Sequence, residues 1–450
     1  MKPKSSPHSS QEDLFRMRLE NLINPAHELV QLAELINWEE IEIHLSRYLK
    51  DSNRGAPGLP SRLVAGMLYL QHAYGLSDEG VLSMWLENPY YQYFCGEEYF
   101  QHELPFDDSS LSRWRKRMGK SGCEKLLQMT IMAAQESQLL KHRDMKKLIV
   151  DTTVQEKNIR FPTDSGLLER VREHLVKLCQ EHGIQLRQNY NREAPRLAIQ
   201  VSRYAHAKQF KRMNKTLKLL KTRVGRVVRD IERQLSTQVV PIQEAFAHKL
   251  GQAKQLLAQT RTSKNKLYSL HEPDTECISK GKAHKRYEFG VKASFAVTHK
   301  QGLVIGALSC PGNPYDGHTL ASQLEQVEGL TGIQPKQCFV DKGYRGNKIK
   351  SGTTIYVSGQ KRGVKTRHMK AALKRRSAIE PEIGHMKKQG KLGRNYLSGL
   401  LGDEMNAILS GAGHNIRKLL AWLKLFGVCI LLINSTPRSE NCRDQLAYAS

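Results

Sequence analysis

Hydrophobic residues recur at helical spacing through most of the first 140 residues. The segments SRLVAGMLYLQHAYG and SDEGVLSMWLEN, which begin at residues 61 and 77, each open with a serine, and a glycine-containing turn separates them. Serine is a preferred residue at the N-terminus of a helix. A third segment at 109–119 continues the pattern with several basic residues. The pattern predicts a helical N-terminal domain, which we place at residues 1–140.

A different pattern begins with KKLIVDTTVQ at 146–155, where apolar and β-branched residues follow one another without a helical period. Such runs are typical of strands buried on both faces. Apolar and polar residues then alternate over 285–300, and a Gln-Gly turn leads into LVIGALSC at 303–310, which predicts a hairpin. Short strands at 337–341 and 353–359 flank helical segments. Together they predict an α/β domain with a mixed sheet, formed by residues 141–165 and 270–395.

Residues 166–269 contain few glycines and prolines and read as helix, with a break near 239–241. Between 201 and 230 there are ten Lys or Arg and one acid, Asp230. We predict a basic helical insertion that faces DNA; the alternative is a structural arm with solvated charges. The apolar run at 419–433 is too short to span a bilayer and contains Lys424. We assign 396–433 to a helical C-terminal segment and 434–450 to a polar tail.

The net charge of the chain bears on the kind of partner that it binds. The 450 residues include 70 Lys and Arg against 44 Asp and Glu, which gives a net charge of +26. A field of this sign attracts nucleic acid, although an anionic membrane or a ribosome would suit it equally. The first residues, MKPKSSPHSSQEDLF, lack the apolar core expected of a signal peptide, and the eight cysteines show no C-x-x-C spacing. We therefore expect a cytoplasmic protein with reduced cysteines and without membrane association, whereas the charge alone does not identify its partner.

A cluster of cations in the third N-terminal helix is a candidate DNA contact. It comprises Arg113, Arg115, Lys116 and Arg117 within SSLSRWRKRMG. A basic helix after a helix–turn–helix pattern suggests DNA binding, and a solvated basic face explains the pattern equally well.

Three acids are candidates for catalysis. Asp151 and Asp341 each stand at the end of a predicted strand, and Glu380 stands at or near the start of a helix. Carboxylates brought together at one sheet edge suit two Mg²⁺ or Mn²⁺ ions, which can activate the attacking oxygen and stabilise the leaving oxygen in phosphoryl transfer. Each acid also has a structural interpretation: Asp151 and Asp341 can shape turns, and Glu380 can form a capping box with Ser377.

The segment RSAIEPEIGHMK at 376–387 resembles the signature around the third acid of DDE transposases from the insertion-sequence-four and -five superfamily, five branch. Arg376, Glu380 and Lys387 match the pattern Y-x-x-R-x-x-x-E-x-x-x-x-x-x-K, whereas Leu373 replaces its tyrosine. VDTTVQ and FVDKGYRG resemble the first and second acid motifs. PGNPYDGHTL is similar to a segment between those two motifs, and PFDDSSLSRWRKRMG to the family's N-terminal domain.

The resemblance implies a ribonuclease-H-like catalytic core in which Asp151, Asp341 and Glu380 bind the two metal ions. Glu382 is the rival for the third position. The same resemblance implies that Arg376 and Lys387 neutralise phosphate charge beside the scissile bond, and Arg375 is an alternative to Arg376.

The function implied is that of a transposase associated with the bacterial nucleoid. It would hydrolyse phosphodiester bonds at the ends of a mobile element and join the resulting 3′-hydroxyls to target DNA. We expect a homodimer, because two ends must be brought together. The alternatives are a metal-dependent DNA nuclease without strand transfer and a catalytically inactive DNA-binding protein.

Overall fold

A computed structural model describes residues 17–49, 58–279, 285–346, 352–360 and 366–435, with side chains as far as residue 425. The polar tail at 434–450 therefore lies almost entirely outside the described residues. The first part of the chain is helical as far as residue 136. The helices described there are α1 (Leu19–Leu22), α2 (Glu28–Leu35), α3 (Trp38–Ser46), α4 (Ser61–Tyr74), α5 (Asp78–Glu87), α6 (Pro89–Phe94) and α7 (Ser109–Glu136).

Local sequence explains where the helices α4 and α5 begin and end. Ser77 accepts a 2.9 Å hydrogen bond from Gly80 N at the start of α5. Gly75 ends α4 in the left-handed region, at φ 68°, a conformation that glycine adopts without steric cost. The expectation that Ser61 caps α4 is wrong, because Pro60 occupies the cap position and Ser61 is the first helical residue.

One mixed sheet follows, interrupted by helices. Its strands are β1 (Lys147–Glu156), β2 (Glu276–Ile278), β3 (Glu288–Thr298), β4 (Val304–Cys310), β5 (Gln337–Val340) and β6 (Thr354–Val357). The predicted hairpin is confirmed as β3 and β4, which pair antiparallel. β1 pairs antiparallel with β3 on one side and parallel with β5 on the other, and β5 pairs parallel with β6. β2 pairs with the beginning of β3.

The helices that follow β4 cover and flank this sheet. They are α12 (Asp316–Thr331), α13 (Arg367–Lys374), α14 (Ile379–Lys388) and α15 (Gly399–Ser435). α15 packs against α4, α7 and β4, so the N-terminal helices and the sheet share one hydrophobic core. The boundary predicted near residue 140, between the N-terminal domain and the α/β domain, therefore lies between two segments of the chain whose side chains pack in the same core. Within the described part of the chain, none of the helices has the length and apolar character needed to cross a bilayer.

Buried Asn415 of α15 fixes these layers together. Its amide oxygen accepts from Val304 N at 2.8 Å, and its amide nitrogen donates to Val304 O at 2.7 Å and to Thr130 Oγ at 3.0 Å. The side chain thus satisfies backbone groups of β4 and a hydroxyl of α7 inside the core, where unpaired polar groups are costly.

The segment between β1 and β2 contains four helices: α8 (Asp164–Glu181), α9 (Glu193–His206), α10 (Phe210–Leu235) and α11 (Val240–Ala258). They pack on one another around a core of their own, which includes Leu175, Val224, Ile231 and Phe246. The break expected near 239–241 is confirmed between α10 and α11. The insertion thus has a hydrophobic centre that does not depend on the sheet.

A buried ion cluster lies where the insertion leaves and rejoins the sheet. Lys157 Nζ, just after β1, lies 2.6 Å from Glu272 Oε2 and 3.0 Å from Asp403 Oδ1 of α15. These buried contacts tie both ends of the insertion to the start of α15, and burial raises the pKa of Asp403 to about 6.

Candidate active site

Asp151 lies within β1, not at its end as the sequence predicted. On one side β1 continues to pair with the long strand β3, and Asp151 is opposite Phe295. On the other side the parallel ladder with the four-residue strand β5 ends at Val150 and Val340. The apolar run did not reveal this difference, because it depends on the unequal lengths of the two neighbouring strands. Asp151 is therefore the first residue of β1 without a β5 partner.

Asp341 occupies the matching position on the neighbouring strand. It directly follows Val340, and its Oδ1 accepts a 2.7 Å hydrogen bond from Lys342 N at the start of the short 3-10 helix Lys342–Tyr344. Because Val150 and Val340 are paired in register, the next residues, Asp151 and Asp341, adjoin at the same edge of the sheet. Thr152 N donates to Asp151 Oδ1 at 2.8 Å and helps to fix that carboxylate.

Glu380 belongs to the first turn of α14 and is largely exposed. Its Oε1 accepts a 2.9 Å hydrogen bond from Arg376 Nη2, and the other terminal nitrogen of Arg376 lies 3.7 Å from Asp151 Oδ2. The Arg376 guanidinium thus lies between the first and third candidate acids. The alternative capping box is not formed, because Ser377 donates to Lys374 O instead.

The rival acid Glu382 faces α15. Its Oε1 lies 2.7 Å from Lys418 Nζ, and its Oε2 lies 3.2 Å from His414 Nε2. Burial alone would raise the pKa of Glu382, but the hydrogen bonds from His414 and Lys418 outweigh it and lower the pKa. Glu382 therefore belongs to an internal cluster, whereas Glu380 is on the side of α14 where Arg376 reaches Asp151.

A fourth acid, Asp316 at the start of α12, lies close to this edge of the sheet. Its Oδ1 accepts from Thr152 Oγ at 3.0 Å and from Lys292 Nζ at 2.9 Å. Tyr344 is buried nearby, and burial followed by the charges of Asp151 and Asp316 holds its pKa well above the ordinary value. Asp316 stands in the segment PGNPYDGHTL. Aspartate is common in turns, so this pattern alone did not identify Asp316 as a residue beside the site.

The predicted phosphate-binding Lys387 lies at the end of α14, with its Nζ 3.9 Å from Glu288 Oε1. Together with Lys116 of α7 it lines a cavity of about 1100 Å³ between the N-terminal helices and the segment that follows α14. Arg394 and the largely exposed Tyr396 line the same cavity. Two cations that are remote in sequence are thus brought to one groove. Arg375, considered as an alternative to Arg376, donates to the backbone oxygens of His299 and Lys300.

The four cations of α7 divide into two groups. Arg113, Lys116 and Arg117 are exposed. Arg115 is buried, and its guanidinium is bonded to Asp78 and to Gln71. Its positive charge is compensated by Asp78 of α5, and we leave it out of the proposed DNA contacts.

Asp151, Asp341 and Glu380 all supply carboxylate oxygens, which are the type of ligand that a hard divalent cation prefers. Arg376 shows that a positive charge is accommodated between Asp151 and Glu380. Within the described ranges, however, no three carboxylate, histidine or cysteine side chains are grouped closely enough to bind a metal ion. Glu380 would have to turn from Arg376 toward the two aspartates to join them.

Two family models match the chain, both described as transposase domains. Residues 17–117 match "Transposase domain (DUF772)", and residues 334–420, which include Asp341 and Glu380, match "Transposase DDE domain". The insertion lies outside both matches. No solved structure matches the chain.

A curated relative extends the comparison. The chain is 45% identical over 210 residues to the uncharacterized protein ORF8 in the nfe locus of Rhizobium meliloti, an alignment that spans 47% of this chain and 100% of that protein. The two matched domains, in the order that the sequence motifs predicted, show that the chain belongs to the DDE transposases of insertion sequences, a family of nucleic-acid-processing enzymes whose substrate is DNA.

Proposed function

We propose that the protein cuts DNA at the ends of a mobile element and joins the freed 3′ ends to target DNA, with Asp151, Asp341 and Glu380 as its catalytic acids. The observation that carries the proposal is the juxtaposition of Asp151 and Asp341 where the β1–β5 ladder ends. Arg376 connects that pair to Glu380. Two acids on adjacent strands and a third on a nearby helix are the arrangement that the motifs imply.

The topology supports a ribonuclease-H-like core. An antiparallel hairpin, β3 and β4, flanks the central strand β1 on one side, and two parallel strands, β5 and β6, flank it on the other. The helical insertion enters between β1 and β2, so its length does not disturb the central pairing. The parallel pairing of β1 with β5 ends at Val150 and Val340, so the acids that follow these two residues lie at the same edge of the sheet. Acids that act together must converge in this way.

The three acids would hold two Mg²⁺ or Mn²⁺ ions, which when bound supply charge stabilisation and an activated oxygen nucleophile for in-line displacement at phosphorus. The residues around the acids orient them. Thr152 holds Asp151 through its backbone N–H and Asp316 through its hydroxyl. Lys292 compensates the charge of Asp316, so this acid remains paired beside the site.

The cations position the DNA. Arg376 lies between Asp151 and Glu380, and a phosphate that approaches these acids would meet the same guanidinium. Lys387, Lys116 and Arg394 line the groove that leads away between the N-terminal helices and α14. Backbone phosphates of an element end would lie along this groove. Two such ends act together, so we expect two protomers in the active assembly.

Cleavage of a supercoiled plasmid that carries the element's own ends tests the proposal. Wild-type protein should cut at the ends with Mg²⁺ and not with EDTA, and Asp341→Asn should bind DNA without cutting it. Asp274→Asn, which changes an exposed acid on a turn, is the matched control and should cut normally. Joined products distinguish a transposase from a nuclease that only hydrolyses. Cutting by Asp341→Asn at the wild-type rate would contradict the proposed triad.

A further inference from the structure

The insertion carries a concentrated basic surface on its longest helix. α10 has 26 residues, which is about 39 Å of helix and close to one turn of duplex DNA. Three arginines, at positions 226, 229 and 233, are exposed on it. The spacing of three and four residues places them on one face, where like charges repel one another.

The loop before α9 adds to this face and forms a small cleft. Arg187 and Tyr190 of that loop, with Arg226, Arg229 and Arg233 of α10, surround a cavity of about 260 Å³. Arg226 Nη1 lies 3.4 Å from Tyr190 Oη, which holds the loop and the helix together at the mouth of the cleft.

The arginine cleft contains one acid, Asp230, and four arginines. Asp230 is nearly buried and accepts a 2.9 Å hydrogen bond from Arg187 N, and its Oδ1 lies 3.9 Å from Arg187 Nε and 3.8 Å from Arg233 Nη1. One carboxylate faces four guanidinium groups. In the part of the chain that the structure describes, Arg226 and Arg229 form no ion pair with an acid. The cleft therefore keeps a net positive charge that an anion would neutralise.

The cleft rests on a rigid support. Val224, Val227, Val228 and Ile231 of α10 are buried in the insertion's own core, so the opposite side of the same helix presents the arginines. Guanidinium groups bind phosphate through paired N–H donors, and their geometry favours phosphodiester oxygens. A row of them along one face of a helix suits the regular backbone of a duplex.

We propose that this arginine cleft, formed by Arg187, Arg226, Arg229 and Arg233, is a second DNA-binding site that holds backbone phosphates of a duplex without reading its sequence. The inference rests on the proposed function, since it assumes that DNA is the substrate. It assigns to the insertion the task of anchoring DNA, separately from the groove beside the catalytic acids. Because the cleft belongs to a unit with its own core, changing it should leave the catalytic site intact.

Duplex binding measured by fluorescence anisotropy over a range of salt concentrations tests the cleft. The variant is Arg226→Gln, Arg229→Gln and Arg233→Gln together. Each lost phosphate contact should reduce the slope of log K against log salt by about 0.9, so the slope should become shallower by about two to three. The loss should be the same for element ends and for unrelated duplex.

A matched control removes the same charge elsewhere on the insertion. Arg170, Lys177 and Lys254 are exposed but paired with Glu173, Glu181 and Glu232, so changing all three to Gln should leave the slope nearly unchanged. A second variant with Lys at 226, 229 and 233 keeps the charge and should keep most of the slope. Its retention would show that the Gln variant acts through charge and not through misfolding.

The outcomes separate this inference from the proposed function. If the Gln variant and the control lose equal slope, the cleft is not a phosphate site and the inference is overturned, whether or not wild type cuts DNA. If wild type binds duplex with a steep slope that only the Gln variant reduces, the cleft is supported even when no metal-dependent cutting is found. Failure of cutting by wild type bears on the catalytic acids alone.

Discussion

Arg376 donates a 2.9 Å hydrogen bond to Glu380 one helical turn away, and the same guanidinium faces Asp151 at 3.7 Å. This arginine therefore shares one positive charge between two acids that the proposed reaction needs for metal ions. We therefore predict that the metal ions and Arg376 compete for the same carboxylates.

Arg376→Gln should lower the Mn²⁺ concentration needed for half-maximal binding, since the two acids lose their internal cation. It should also slow DNA cleavage roughly 100-fold, because a positive charge beside the phosphate is lost. Metal titration by calorimetry and single-turnover cleavage measure the two effects. Arg375→Gln is the control: that guanidinium donates to the backbone oxygens of His299 and Lys300, so its loss should leave metal affinity unchanged. Equal effects of the two substitutions would argue against a role for Arg376 at the site.

Substitution of Glu380 should affect catalysis, whereas substitution of Glu382 should affect the stability of the fold. Glu380→Gln should abolish cleavage with little change in Tm, because the side chain is largely exposed. Glu382→Gln removes the charge that pairs with Lys418 and His414, and should destabilise the fold by about 2 kcal/mol or more. Thermal unfolding and cleavage of both variants make the comparison. A stable, inactive Glu382→Gln protein would reverse the assignment.

Sequence pattern predicted the strands that bring Asp151 and Asp341 together, because apolar runs identify buried strands and parallel neighbours end at one edge. It misplaced Asp151 at a strand end, since the different lengths of β3 and β5 are properties of the assembled sheet. Arg115 was grouped with its exposed neighbours because nothing in the local sequence reveals a partner. Its bonds to Gln71 and Asp78 depend on how α4, α5 and α7 pack.

The role of α15 was likewise beyond the sequence. The sequence predicted a helical C-terminal segment at 396–433, but not that Asn415 would satisfy the backbone of β4. Asn415→Ala leaves the N–H and C=O of Val304 without that partner in the core, and should lower the free energy of unfolding by about 2–4 kcal/mol. Denaturant unfolding measures the change. Asn214→Ala, on α10, is the control, since it replaces an exposed asparagine whose side chain forms no hydrogen bond with any residue that the structure describes. A loss below about 0.5 kcal/mol at 415 would show that water or a neighbour replaces the amide.

His72 should make the fold sensitive to acid. The side chain is buried in α4, with Nδ1 3.0 Å from Leu68 O, and burial lowers its pKa to about 3. The unfolded chain takes up a proton at this histidine below about pH 6.5, whereas the folded protein does not until about pH 3. Stability should therefore fall as the pH drops through this window, by up to about 1.4 kcal/mol per pH unit from this one group. Tm measured from pH 7 to pH 4 should decline less steeply in His72→Gln than in wild type, whereas His206→Gln, which changes an exposed histidine, should follow wild type. Parallel Tm curves for all three proteins would show that His72 takes up its proton as readily in the folded state as in the unfolded one.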